Sequence, residues 1–86
     1  MERYWNYRIM VREYLHKYYF SIYEVCYTKE NKPKAHSKYS ATIEGNTMDD
    51  LQFTLSEMKN CLNEPILWLG DKFPQEFNYD KEMKNE

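Results

Sequence analysis

The stretch 47–63, TMDDLQFTLSEMKNCLN, decides the fold because its pattern predicts a helix more clearly than any other part of the chain. Its apolar side chains recur at steps of three and four and therefore lie along one side of a helix: Met48, Leu51, Leu55, Met58 and Leu62. Thr47 can cap the first turn, and Asp50 follows three residues later, as in a capping box. Pro65 lacks an amide proton, so the helix should end before it.

The chain before this helix has the patterns of strands. Residues 5–14 alternate between apolar and polar side chains and form the first strand, and residues 17–28, rich in aromatic and β-branched side chains, form the second. Leu15 and His16 make a two-residue turn between them, although neither residue favours the positive φ of a tight hairpin. Pairing the residues that flank this turn sets the register and collects an apolar core face: Trp5, Ile9, Val11, Phe20, Ile22 and Cys26.

The remaining segments complete the prediction of an α+β fold. Residues 28–40 are a basic loop, residues 39–44 a third strand, and residues 65–69 a fourth strand after the helix. The predicted fold is an antiparallel sheet of three or four strands in the order β-β-β-α-β, with the amphipathic helix packed on one face. We expect a single domain over residues 1–77 and a solvated C-terminal tail over residues 78–86.

Charge is unevenly distributed along the chain, although the net charge is only −2. Residues 1–40 carry eight Lys and Arg against four Glu, hence +4, whereas residues 41–86 carry four Lys against ten acidic residues, hence −6. This dipolar distribution favours a charged partner or head-to-tail self-association. The chain shows no signal-peptide pattern and no apolar run of membrane-spanning length, and with only two cysteines we expect a cytoplasmic protein.

The residues that carry chemistry do not predict an enzyme. With only two glycines in the chain, a phosphate-binding glycine loop is excluded. Cys26 and Cys61 are expected in the core and His16 and His36 in loops, so neither a Cys–His nucleophile nor a zinc site of recognised spacing is predicted. We therefore expect no catalytic residue, no metal and no cofactor.

The outer face of the first two strands is the main candidate binding surface because it interleaves arginines with tyrosines. Its residues are Asn6, Arg8, Met10, Arg12, Tyr19, Ser21, Tyr23 and Tyr27. Such a face suits a protein partner, since Tyr, Arg and Met are enriched in interfaces, and with no predicted element to cover it we expect a homodimer. One alternative is a nucleotide or single-stranded RNA held by stacking and phosphate contacts. The other is that the tyrosines only shield the arginine stems and the face contacts water or the C-terminal tail. Phe53, which points away from the helix stripe, is a further partner-binding candidate.

The turn into the helix resembles that of a known family. Residues 45–51, Gly-Asn-Thr-Met-Asp-Asp-Leu, fit the G-x-T-x-x-[DE]-[AL] turn of HicB-type antitoxins, in which a three-stranded sheet leads into one amphipathic helix. The resemblance covers residues 5–63 and implies that fold and an antitoxin role. The proline-and-glycine motif that precedes the turn in many such antitoxins is absent here, and residues 66–86 are too few for their DNA-binding segment. DNA binding is therefore not implied.

A second resemblance, to a set of small uncharacterised bacterial proteins, extends over more of the chain. It depends on WNYR at residues 5–8, IYEVCY at residues 22–27 and PIL at residues 65–67. It implies no function, and the Lys-, Asn- and Tyr-rich composition is typical of AT-rich bacterial or phage genomes. The sequence thus predicts a small non-enzymatic protein that binds another protein as an inhibitor, antitoxin or adaptor, with a phage-encoded inhibitor of host defence among the alternatives.

Overall fold

The protein folds as an α+β domain around a five-stranded mixed sheet, in a computed structural model that describes residues 4–85. The elements are β1 (Trp5–Tyr14), β2 (Lys17–Tyr27), β3 (Pro33–His36), α1 (Met48–Asn60), β4 (Ile66–Trp68), β5 (Glu76–Phe77) and α2 (Tyr79–Glu82). The strands lie in the order β3-β2-β1-β4-β5; β1 and β4 are parallel, and every other neighbouring pair is antiparallel. The predicted α+β class and the order β-β-β-α-β are confirmed. The sheet is mixed and not antiparallel throughout as predicted, because β4 pairs with β1 in parallel, and it gains a short fifth strand.

The hairpin of β1 and β2 forms in the predicted register. Val11 lies opposite Phe20 and Ile9 opposite Ile22, as the apolar pattern requires. The chain reverses through Leu15 and His16, whose φ angles are +52° and +65°. A two-residue turn with both φ angles positive matches the right-handed twist of the flanking strands. Leu15 and His16 adopt this backbone conformation although Asn and Gly adopt it with less strain.

The third strand is Pro33–His36 and not residues 39–44, so that part of the prediction is wrong. The cause is a tight turn at the end of β2. The Thr28 N–H donates to the Lys32 carbonyl at 2.8 Å, and the Thr28 hydroxyl accepts from the Lys32 N–H at 3.2 Å. The chain reverses within five residues and returns along the edge of β2, with Ala35 opposite Cys26. Nothing in this Lys- and Pro-rich stretch resembles a strand in composition, because an edge strand requires only backbone pairing.

The helix begins and caps as predicted, but most of its apolar stripe does not enter the core. The Thr47 hydroxyl accepts from the Asp50 N–H at 3.0 Å, and a 3₁₀ turn continues α1 to residue 63. Met58 is only 3% exposed and Leu51 is half-buried, whereas Leu55 is 43% exposed and Leu62 is 66% exposed. The prediction that Leu55 and Leu62 pack on the sheet is therefore wrong.

The chain that follows the helix covers the sheet in its place. β4 lies beside β1, with Trp68 next to Val11 in register. Trp68 and Phe77 pack against Val11 on the face that was expected to receive the helix, and their ring centroids are 5.0 Å apart. Large aromatic rings bury more apolar area than Leu55 can supply, so they displace the helix from this position. At the edge of the same face Phe20 stays 38% exposed.

The segment after residue 77, predicted as a solvated tail, forms the helix α2 and contacts the domain through Glu82 and Met83. Asn78 caps α2 by accepting from the Lys81 N–H at 3.1 Å. The Tyr18 hydroxyl donates to Glu82 at 3.1 Å, and Met83 packs against the cluster around Phe77. The domain boundary predicted at residue 77 therefore cuts through the cluster, while residues 1–3 and 86 lie outside the described part of the chain.

The opposite face of the sheet, predicted to face outward, is also buried. Its core is formed by Met10, Val25, Tyr27 and Leu67, with Leu69, Phe73 and Tyr23 packed around them. The segment that follows β4 returns over this face, so the C-terminal part of the chain covers both sides of the β1–β4 pair. Trp5 and Cys26 lie opposite each other on the face that was predicted to be the core. Trp5 is nevertheless 49% exposed, and Cys26 is exposed as well.

Because Met58 is buried and Leu55 is largely exposed, replacing each by alanine should change the stability of the protein by different amounts. Met58→Ala should lower the free energy of unfolding by about 2–5 kcal/mol, because it removes a buried side chain and leaves a cavity. Leu55→Ala should lower it by less than about 1 kcal/mol, since the side chain is largely in water. Urea unfolding followed by circular dichroism measures both, and equal losses would show that Leu55 packs as the sequence pattern implies.

Because both residues of the hairpin turn have positive φ angles, replacing them by residues that favour this conformation should stabilise the protein. Replacing Leu15 and His16 by Asn and Gly together should raise the free energy of unfolding by about 1–2 kcal/mol, because these residues adopt positive φ with less strain. Leu15→Ala is the matched control, since alanine keeps the Cβ atom and should leave stability within about 0.5 kcal/mol. A double variant no more stable than the parent in urea unfolding would contradict the described turn.

Candidate functional site

The structure does not present the predicted arginine and tyrosine face as a surface. Arg8, Met10 and Tyr27 are buried, and Tyr23 is half-buried. Of the remaining predicted binding residues, Arg12, Tyr19 and Phe53 are exposed. The face is covered because Leu69 and Phe73 pack on it, which the sequence pattern did not indicate. The covered part of this face is therefore not open to a second copy of the chain, and the homodimer stays a prediction.

Arg8 belongs to a buried polar ring and is not a surface binding residue. Its Nη1 donates to the Tyr27 hydroxyl at 2.8 Å, and its Nη2 donates to the Pro65 carbonyl at 2.7 Å. The Tyr27 hydroxyl donates to Asn6 Oδ1 at 2.6 Å, and Asn6 Nδ2 donates to Glu64 Oε2 at 2.7 Å. The same Glu64 oxygen lies 3.9 Å from Arg8 Nε, so the ring is completed by an ion pair, and Nε itself makes no hydrogen bond among the described residues. A buried guanidinium requires such partners, so Arg8 holds the corner between the helix and β4 against the sheet.

Arg12 and Tyr19 keep a small part of the predicted stacking surface. The Arg12 guanidinium lies 4.7 Å from the centroid of the Tyr19 ring and 5.8 Å from that of Tyr14. This arrangement is the usual cation–π geometry, and it occupies the ring face on which a base would stack. The platform required for the nucleotide or RNA alternative is thus reduced to these side chains at one end of the hairpin.

A groove lies between the start of β1 and helix α1. Its volume is 490 Å³, within the usual range for ligand pockets of about 300–1,000 Å³. The lining residues are Trp5, Asn6, Tyr7, Phe53, Thr54, Glu57, Asn60, Cys61 and Glu64. The groove exists because β4 pairs with β1 at Met10 and Val11, which leaves the first residues of β1 beside the helix.

The walls of the groove combine aromatic rings with carboxylates. On the β1 side, the rings of Trp5 and Tyr7 meet edge to face at 5.2 Å, with an angle of 87° between their planes. On the helix side, Phe53 is 68% exposed and Glu57 accepts from Asn60 Nδ2 at 3.1 Å. Burial raises the pKa of the Tyr7 hydroxyl, and the carboxylates of Glu24 and Glu57 raise it further. The groove is therefore an aromatic and electronegative surface.

The cysteines and histidines offer no assembled reactive site. Cys61 is buried in the wall of the groove, and burial raises the pKa of its thiol despite the nearby positive charge of Arg8, so the thiol is protonated at neutral pH. His16 lies in the hairpin turn, and the His36 ring packs 4.9 Å from that of Phe73. Across residues 4–85 no three His, Cys, Asp or Glu side chains lie close enough together to hold a metal ion. None of the helices in this part of the chain combines the length and apolar character needed to cross a bilayer.

Two residues that line the groove, Asn6 and Phe53, were named from the sequence but assigned to separate surfaces, and the other lining residues were missed. Phe53 was singled out because it interrupts the helix pattern. Trp5 and Tyr7 alternate with polar residues as core residues do, so their pattern gave no sign of exposure. The helix wall of the groove could have been found from the sequence. Phe53, Glu57 and Asn60 follow at steps of four and three and therefore lie on one side of the helix.

The buried ring predicts that two arginines on the same face of β1 differ in their effect on stability. Arg8→Met should lower the free energy of unfolding by about 2–4 kcal/mol, because the Pro65 carbonyl and Tyr27 hydroxyl lose a buried charged donor. Arg12→Met, the matched control at an exposed position, should cost less than about 1 kcal/mol. Chemical denaturation of the two variants measures this, and a mild effect of Arg8→Met would show that the ring does not hold the fold.

Comparison of the chain with protein-family models, with curated proteins and with solved structures gives no match. The resemblance to HicB-type antitoxins is therefore still a prediction from the turn motif, and the function is argued from the groove itself.

Proposed function

We propose that this protein is a non-catalytic binding protein that forms a stoichiometric complex with another protein through the groove between β1 and α1. The observation that carries the proposal is the exposure of two large aromatic side chains on opposite walls of one groove, Trp5 at 49% and Phe53 at 68%. Aromatic residues in a concave surface are the anchors that dominate protein interfaces.

The rest of the helix surface supports a protein partner over a small molecule. Met48, Leu55 and Leu62 follow at seven-residue steps and form a line along α1, and all three side chains are exposed. This line and the groove flank the buried side of the helix, so a partner that spans α1 would cover both. Several exposed apolar side chains on one element are typical of interaction sites. Whether the complex inhibits, neutralises or links its partner depends on what the partner does.

The nucleotide and RNA alternative has less support in the structure. The groove is lined by Glu57 and Glu64 and, among the described residues, by no lysine or arginine. Phosphate groups are bound by positive charge, and a carboxylate-lined groove repels them. The exposed Arg12 and Tyr19 lie opposite each other on β1 and β2 near the hairpin turn, away from the groove.

Site-specific photo-crosslinking in the native cell tests this proposal. A photoreactive phenylalanine derivative at position 53 should yield one discrete crosslinked product with a second protein. The same derivative at position 14 is the matched aromatic control, because this position lies at the other end of β1, about 30 Å along the strand from Trp5. It should yield no crosslinked product. Phe53→Asp should abolish co-purification of that protein, because it places a charge in an apolar contact.

Two results would contradict the proposal. Equal or absent crosslinking at the two positions would show that the groove does not contact a protein. A product with twice the chain mass of 10.6 kDa would show that the occupant is a second copy of this chain.

A further inference from the structure

We propose that the groove binds an arginine side chain of the partner protein in the corner formed by Trp5, Tyr7 and Glu57. This inference rests on the proposed function and names the chemistry that the groove selects. The corner combines the two features that bind a guanidinium, aromatic π faces and a carboxylate, on walls contributed by different elements.

The aromatic half of the corner is already arranged for a cation. Trp5 and Tyr7 lie two residues apart on β1, so their side chains point to the same side of the strand. Their rings meet at 87° in an edge-to-face contact that restrains the Trp5 indole, and Trp5 lines the groove while staying 49% exposed. Indole offers the most favourable π face for a cation, and a fixed ring loses little entropy on binding.

The acidic half of the corner lies on the helix wall. Glu57 is exposed and accepts from the Asn60 amide, and no lysine, arginine or histidine of the described residues forms an ion pair with it. Glu64, the second carboxylate of the lining, is engaged with Asn6 and Arg8. Glu57 is therefore the carboxylate available to a partner. The raised pKa of the Tyr7 hydroxyl has the Glu24 and Glu57 carboxylates among its causes, after burial, so their negative field reaches the ring wall.

The shape and charge together favour arginine over other occupants. A planar guanidinium can stack on an indole and donate to a carboxylate at the same time, which the compact ammonium of lysine does less well. An aliphatic side chain would leave Glu57 without a partner in a partly desolvated groove. An anionic group would face the two carboxylates of the lining.

The test is a titration with two peptides that differ only in charge. The first is a capped seven-residue peptide that alternates glycine with arginine, and the second replaces each arginine by citrulline, its neutral isostere. Two-dimensional ¹H–¹⁵N NMR of the full chain follows binding through the Trp5 indole N–H and the amides of Tyr7 and Glu57. We expect the arginine peptide to shift these signals and to bind about three- to thirty-fold more tightly than the citrulline peptide.

Two carboxylate variants complete the test. Glu57→Gln should weaken binding of the arginine peptide about three- to tenfold, because it removes the acceptor charge and keeps the shape. Glu76→Gln, at an exposed position on β5 outside the groove, changes the net charge equally and should leave the affinity unchanged. Equal affinity for the two peptides, equal effects of the two variants, or shifts outside the groove would each overturn the inference.

The outcomes separate this inference from the proposed function. If crosslinking at position 53 succeeds and the two peptides bind equally, the groove binds its partner by apolar contact and only the arginine inference fails. If the arginine peptide binds selectively and crosslinking fails, the cation site exists but the proposed protein complex does not form there.

Discussion

The buried guanidinium of Arg8 joins the three parts of the chain that meet at the start of β1. A positive charge withdrawn from water must be surrounded by acceptors, and here they come from β2, from the end of the helix segment and from the residue before β4. The hydrogen bond from Arg8 to the Pro65 carbonyl fixes the position of the residue that precedes β4. Two residues later Leu67 lies beside Met10, so β4 takes its place from this anchor.

The position of β4 then determines what covers the sheet. Residues 67–83 pass over both faces of the β1–β4 pair, with Leu67 and Phe73 on one side and Trp68 and Phe77 on the other. These side chains supply the core that a single helix would otherwise have to supply. Helix α1 is left beside the first residues of β1, where it buries Met58 and exposes Leu55. The groove between them is thus a consequence of how the C-terminal segment packs.

A domain of this size has little apolar surface to spare, and it leaves much of it in water. Trp5, Phe53 and the line Met48, Leu55 and Leu62 are all exposed around α1, and further large apolar side chains are exposed at the turn of the β1–β2 hairpin. The buried clusters lie between them, one on each face of the β1–β4 pair. The aromatic side chains of the groove lie on β1 and α1, regular elements that hold them in position, and this supports the proposed binding function.

The sequence by itself determined the local structure of this protein. Alternation and turn length set the β1–β2 register, and Thr47 and Pro65 set the limits of the helix, because these depend on neighbouring residues only.

Only the tertiary structure decided which faces are buried. Both faces of the β1–β2 hairpin are apolar enough for a core, so alternation could not choose between Ile9 and Met10. The choice was made by the segment after residue 65, whose aromatic residues carry no periodicity that would show where they pack. The groove followed from that choice, since it is formed by residues distant in sequence that are left over when the core is complete.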